Sequence, residues 1–174
     1  MSRKVLVAYA SKMGATAGIA EVISDELRER GHEVDVLDVT QVRTVEPYDA
    51  VVLGSAIYLR RWRPEARQFL KRCADELRTR QVWLFHSGPV GPDKDQDQEM
   101  PPAVRRLARE IGATPAVTFA GRLEPATAKG FLARHLATGN MSGDSRDWTK
   151  IRAWAADISA AISTTQRTWD TTPS

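Results

Sequence analysis

Two observations predict an α/β fold, a doubly wound five-stranded parallel sheet in the order 2-1-3-4-5 with helices on both faces. Short apolar runs alternate with amphipathic segments along nearly the whole chain, and that alternation needs parallel strands with crossover helices covering both faces. Five such runs with five potential crossovers favour the order in which the first strand lies at the reversal of the sheet.

Taken in order, Val5 to Ala10 reads as a buried strand. Ala17 to Arg30 follows as a helix, with Ile19, Ala20, Val22, Ile23 and Leu27 on one face and Gly31 placed to end it. Glu33 to Val39 alternates polar and apolar residues, as a strand with one less buried face does, and Tyr48 to Gly54 is a third strand that ends on glycine. The crossover between them, residues 40–47, is too short for a proper helix. Pro64 suits the first turn of a helix carrying Ala66, Phe69, Leu70, Cys73 and Leu77 inward. Gln81 to His86 is the fourth strand; a polar loop around Asp93 to Glu99 leads to a helix from about Pro102 to Ile111. Ala116 to Ala120 is the fifth strand, and Trp148 to Ile162 the last helix, N-capped by Asp147. Residues 121–146 do not fit the alternation and read as an insertion into a single domain spanning 1–163; residues 164–174 read as a frayed tail.

The composition narrows the function classes. A chain of 174 residues, 42% apolar and 27% charged, is ordinary for one soluble globular domain. No apolar run approaches the roughly 18 to 20 residues of a membrane-spanning helix, and Met1-Ser2-Arg3-Lys4 enters a strand without a cleavable-signal pattern. One cysteine, Cys73, makes no internal disulfide, so the expected compartment is the cytoplasm. A net charge of +3 is too mild to argue for nucleic acid. No Cys, His and carboxylate cluster has metal-ligand spacing, and no serine has a triad context.

The loop "SKMGAT", Ser11 to Thr16, leaves the strand at the reversal, where open parallel sheets bind ligands. Such a turn aims backbone N–H groups and a positive helix end at one spot, which suits a phosphate. Ser11 and Thr16 add hydroxyls, and Gly14 lets the backbone approach closely. A plain strand-to-helix connection capped by Ser11 or Thr16 explains the same residues. The lysine of a G-x-x-x-x-G-K-[ST] loop is missing, as is a G-x-G-x-x-G turn, which argues against a nucleotide hydrolase and an ordinary dinucleotide site. The ends of strands one and three, Tyr9-Ala10-Ser11 and Gly54-Ser55, lack the acids of a receiver domain.

"VLVAYASKMGATAGIAEVI" resembles the N-terminal signature of flavodoxins, whose [ST]-x-[ST]-G-x-T loop holds the phosphate of FMN. Ser11, Gly14 and Thr16 match, whereas Met13 stands where a hydroxyl residue is usual; its backbone N–H is still present. The resemblance extends through "YDAVVLGSAIYLRRWRPEARQFL" and, more weakly, "MSGDSRDWTKIRAWAADI". Its closest pattern is the flavodoxin-like branch that includes the menaquinone-dependent protoporphyrinogen IX dehydrogenases. The resemblance implies a flavodoxin-like fold, FMN as cofactor and a phosphate loop of Ser11, Lys12, Met13, Gly14, Ala15 and Thr16. It also implies a flavin ring held by the loops after strands three and four: Ser55, Ala56, Ile57 and Tyr58, then Ser87, Gly88, Val90 and Gly91. Tyr58 and Trp62 are the available flanking aromatics; each has a packing alternative, Tyr58 at the surface and Trp62 beside Pro64. A deazaflavin in place of FMN stays open.

Two features bear on the redox chemistry, which the cofactor carries and the protein tunes. "SAIYLRRW" lacks the glycine that in flavodoxins assists a backbone flip toward the ring, and β-branched Ile57 makes positive φ costly, so one-electron behaviour is expected to be weak. Arg60, Arg61 and Arg63 lie in or beside the ring loop, where positive charge favours a reduced anionic ring; singly, each also reads as a solvated charge. These features predict two-electron exchange with a quinone or other organic substrate, and the resemblance implies protoporphyrinogen IX as one such substrate. The alternatives are a carrier that shuttles electrons between protein partners and a domain that kept the fold without a cofactor. The insertion, with Phe131, Leu132 and Leu136 beside Lys129, Arg134 and His135, reads as a local helix, a pocket cover or a peripheral membrane contact. It is shorter and less basic than is typical of the porphyrinogen branch. Cys73 is expected to be a buried structural thiol, His32 a surface residue, and His86 strand-end packing.

Overall fold

The computed structural model describes residues 2–12, 14–88, 96–123, 143–144 and 146–165. Five parallel strands, β1 (Lys4–Ala10), β2 (Glu33–Asp38), β3 (Ala50–Tyr58), β5 (Gln81–Gly88) and β6 (Val117–Ala120), lie in the order β2-β1-β3-β5-β6. Among parallel strands alone this is the expected 2-1-3-4-5. A two-residue strand β4 (Arg61–Trp62) folds back antiparallel on β3.

The period of two along each strand sorts the core into two layers. Val5, Val7, Val52 and Phe85 face α1 (Ala15–Glu29) and α5 (Trp148–Thr165). Leu6, Ala8, Ala10, Val51 and Leu53 face α2 (Pro64–Arg72), α3 (Ala74–Leu77) and α4 (Pro102–Ile111). Asp147 caps α5 as expected, its Oδ1 accepting the Lys150 N–H at 3.0 Å. Residues 40–47 form no helix; the crossover buries Val42 and Val45 and is tied down by Glu76, whose Oε2 accepts the Val45 N–H and the Thr44 hydroxyl. These bonds, with the Val45 N–H the strongest influence, hold the Glu76 carboxyl below its ordinary pKa.

Four expectations are corrected. β3 does not end on Gly54 but continues to Tyr58, because Gly54 is a packing gap: a Cβ there would run into the Phe85 ring. That ring belongs to an aromatic cluster with Phe119 and Trp154, centroids 5.5–5.9 Å apart. β5 likewise runs two residues beyond His86, to Gly88. The helix after Pro64 breaks at the buried Cys73 into α2 and α3. His32 is buried, 7% exposed, with its Nδ1 accepting the Arg3 N–H and its Nε2 2.9 Å from Ser159 Oγ on α5. The ends of the insertion meet as an antiparallel pair, β7 (Arg122–Leu123) with β8 (Gly143–Asp144); Lys129, Phe131, Leu132, Arg134, His135 and Leu136 lie outside the described residues, as does the tail from 166.

Candidate cofactor site

The site begins with strand register. Ala10 of β1 pairs with Ser55 of β3, Ser55 with His86 of β5, and Ala56 with Ser87. The carboxyl ends of the three central strands are therefore level, and the loops leaving them open onto one edge. β1 and β3 flank the reversal in strand order, where a crevice forms.

At that crevice the start of α1 is open. Gly14 occupies the N-cap position at φ 88°, a left-handed conformation that favours glycine, and among the described residues no side chain caps the helix. The Ser11 hydroxyl accepts the Gly14 N–H at 3.0 Å, one step too early to cap. Thr16 Oγ1 is buried and lies 2.6 Å from Ser87 Oγ, so it too is engaged elsewhere. The first-turn amides of Ala15, Thr16 and Ala17 are N–H groups a helix cannot satisfy internally. The first turn carries no acid, and Lys12 stands beside it with Nζ 5.8 Å from the Tyr58 ring centroid. The expectation that Ser11 or Thr16 caps α1 is therefore not met.

The second wall is the β3–β4 hairpin. Tyr58 pairs with Arg61 across a two-residue turn, Leu59 and Arg60, with both central residues at positive φ, 48° and 59°. This mirror-image turn matches the twist of the strands, but without glycine each such residue costs about 1–2 kcal/mol. Positive φ thus falls on Leu59 and Arg60, not on Ile57, which stays in β3. Ser55, Ala56, Ile57 and Tyr58, expected in a loop, form the end of that strand. Ser55 is fully buried and spent internally, accepting the Arg63 N–H at 3.0 Å and donating to the Ala56 carbonyl at 2.9 Å. Tyr58 is 41% exposed and Leu59 76%. Trp62 faces the core, fully buried, and does not flank an open ring site. Of the three arginines, Arg63 is neutralised by Glu65 at 2.9 Å, while Arg60 and Arg61 are exposed.

The third wall is the end of β5, where consecutive residues point to opposite faces. Ser87 reaches Thr16 on the α1 side. His86, on the other side, is buried: Trp62 Nε1–H donates to its Nδ1 at 3.1 Å, and its Nε2 lies 2.8 Å from Thr118 Oγ1. An indole only donates, so Nδ1 accepts and the neutral ring carries its proton on Nε2. Burial pushes the imidazole down to about 4. Thr118 Oγ1 also accepts the Gln98 N–H at 2.9 Å, which anchors the segment entering α4. Gly88 ends β5 against the Ile57 side chain, which a Cβ would strike. Met13, Val90 and Gly91 lie outside the described residues.

The structure thus brings Ser11, Gly14, Ala15 and Thr16 together with Ser87, Gly88, Ile57 and Tyr58 at one edge. Thr118 and Gln98 were not legible as partners of His86, because pairing across β5 and β6 depends on register. A doubly wound parallel sheet with an uncapped, acid-free helix start at its topological switch defines the class: an α/β protein of the open, doubly wound type with its crevice at the carboxyl edge. The chain belongs to the flavodoxin-domain family, whose model, described as a flavodoxin domain, matches residues 6–130. It is 32% identical over 76 residues to the protoporphyrinogen IX dehydrogenase [quinone] of Escherichia coli K12, a match that spans 42% of each protein. Among solved structures, a flavodoxin from the domain Archaea superposes with a TM-score of 0.63 at 16% identity, covering 92% of this chain and 99% of that one. Oxidised flavodoxin 1 of Bacillus cereus superposes with a TM-score of 0.60 at 17% identity, covering 89% and 96%. No helix among the described residues is long and apolar enough to cross a membrane.

Proposed function

We propose that the protein binds FMN, the flavodoxin cofactor, and exchanges electrons between it and a quinone or other organic substrate. The observation that carries this reading is the uncapped start of α1: both hydroxyls able to cap it are committed elsewhere, which leaves the Ala15, Thr16 and Ala17 amides to an external anion. A phosphate monoester satisfies those amides and the positive helix end together. Gly14, with nothing near its missing Cβ, leaves room for the approach.

The residues fit the group. The turn Ser11, Lys12, Gly14, Ala15 and Thr16 would hold the phosphate, and the walls formed by Ala56, Ile57, Tyr58, Ser87 and Gly88 would receive the ring. When bound, the flavin supplies hydride and electron transfer. Exposed Arg60 and Arg61 add positive charge at the rim, favouring a reduced anionic ring and hence two-electron exchange. The partial match to a protoporphyrinogen dehydrogenase supports a quinone acceptor and makes a porphyrinogen the first donor to assay.

A second reading, a carrier serving protein partners, is favoured by Tyr58 and Leu59, apolar and exposed at the rim where a partner would dock. Purified protein is denatured and its released chromophore weighed; quinone reduction and porphyrinogen oxidation are then assayed. FMN with turnover supports the oxidoreductase, FMN without turnover supports the carrier, and failure to take up FMN overturns both.

A further inference from the structure

Two segments border the carboxyl edge on the α2–α4 side, and one buried side chain bonds toward both. The hairpin is held inward at Trp62, whose indole N–H has His86 Nδ1 as its acceptor, with the rings edge to face at 6.2 Å. The segment entering α4 is held at Gln98, whose backbone N–H donates to Thr118 Oγ1, the atom that His86 Nε2–H also reaches. The four residues form one chain of hydrogen bonds: indole to imidazole, imidazole to hydroxyl, amide to hydroxyl. Trp62 and His86 are fully buried and Thr118 nearly so, so no water replaces a lost partner cheaply. A neutral imidazole, with one acceptor and one donor nitrogen on opposite sides of a rigid ring, receives from the indole on one side and donates to the hydroxyl on the other.

We propose that His86 is a positioning residue that couples the β3–β4 hairpin to the segment entering α4, so that the hairpin wall of the ring site keeps a fixed place relative to that segment. The flavin reading enters only in what the hairpin borders; the coupling itself is a property of the protein alone. The hairpin tip needs such an anchor. Leu59 and Arg60 hold strained positive φ in solvent, and β4 contributes only two paired residues. Ile57 against Gly88 is a second contact that draws the hairpin to β5. Adjacent Ser87 binds Thr16 on the opposite face, so the end of β5 ties together the start of α1, the hairpin and the segment entering α4.

The test separates coupling from simple loss of stability. In cofactor-free protein, amide hydrogen exchange is followed for Thr118→Val, which is close in shape but lacks the hydroxyl, and for Trp62→Phe, which lacks the donor. Coupling predicts that Thr118→Val speeds exchange about 10-fold in residues 57–63 as well as at Gln98, and that Trp62→Phe does so at 98–100 as well as in the hairpin. Effects confined to each variant's own segment overturn the proposal. His86→Asn keeps an acceptor near Nδ1 and is expected to protect the hairpin alone; His86→Gln keeps a donor near Nε2 and protects the Gln98 segment alone. A folded His86→Leu protein that exchanges like the parent in both segments also overturns it. With FMN bound, Trp62→Phe and Thr118→Val each weaken affinity about 10-fold, alter the visible circular dichroism of the ring and combine less than multiplicatively. A parent protein that takes up no FMN refutes the flavin reading, and the exchange experiment still decides the coupling.

Discussion

The two buried histidines make nearly the same hydrogen bonds at opposite ends of the sheet. His32, beside the amino edge, accepts a backbone N–H at Nδ1 and meets Ser159 Oγ at Nε2. His86, at the carboxyl edge, accepts the Trp62 indole N–H at Nδ1 and meets Thr118 Oγ1 at Nε2. Their surroundings separate them. His32, in the short connection between α1 and β2, joins the N-terminal segment to α5. His86 joins a strained hairpin to a loop end at the edge where the uncapped helix start also lies. One bonding pattern serves as a clamp for the fold in one place and as a spacer for a site in the other.

The comparison breaks most sharply at the turn from Ser11 to Thr16. Thr16→Glu places an unpaired carboxylate against Ser87 and opposes an incoming phosphate, so FMN affinity is expected to fall by about 100-fold or more. Calorimetric titration measures this, and retained affinity would show that the turn is not the anion site.

Next comes pH. Both histidines titrate below the ordinary value of 6.5, burial being the main cause in each, and His86 descends to about 4. A lowered base is neutral in the folded state but protonates in the unfolded chain. Its stabilisation is therefore complete above pH 6.5 and is lost as pH falls toward 4. For His86 the loss is about 3 kcal/mol at 1.36 kcal/mol per pH unit. Urea unfolding at pH 7 and pH 4 should show this difference in the parent and not in His86→Gln; His32→Asn should remove a smaller share of the same sign. The lowering at His86 is opposed first by a hydrogen bond to the Gln98 backbone and then by the Asp97 charge, both of which favour the protonated ring.

A smaller effect sharpens the contrast. Ser159→Ala deletes the hydroxyl at His32 and should cost about 1 kcal/mol of stability, with FMN affinity unchanged, because His32 and Ser159 lie at the amino edge, the opposite end of the sheet from the site. Smallest is the double change Leu59→Asn with Arg60→Gly, which supplies the residues a mirror-image turn prefers. It should stabilise the protein by about 1 kcal/mol, read as a higher urea midpoint. Destabilisation would mean that Leu59 or Arg60 makes compensating contacts.

Much of the architecture was legible before any coordinates. Alternating apolar runs and amphipathic segments specify parallel strands and covering helices, since each period buries one particular face. Gly31 and Asp147 end and begin helices through local backbone chemistry alone. The turn from Ser11 to Thr16 was likewise visible, as hydroxyls and a glycine between a strand and a helix.

What the hydroxyls do was decided only in three dimensions. Ser55, Thr16 and Ser87 looked like ligand donors, yet their partners are Arg63, Ser87 and Thr16, brought close by strand register and helix placement. Gly54 resembled a strand terminus because no local pattern announces the Phe85 ring beside it. His32 reads as a surface residue for the same reason, and the packing expected of His86 finds its partners only in the fold: the hydroxyls they meet lie 127 and 32 residues away. Local periodicity sets which elements form, because it depends on neighbours a few residues apart. Hydrogen-bond partners across a core depend on packing that brings distant residues together, and that information exists only in the tertiary structure.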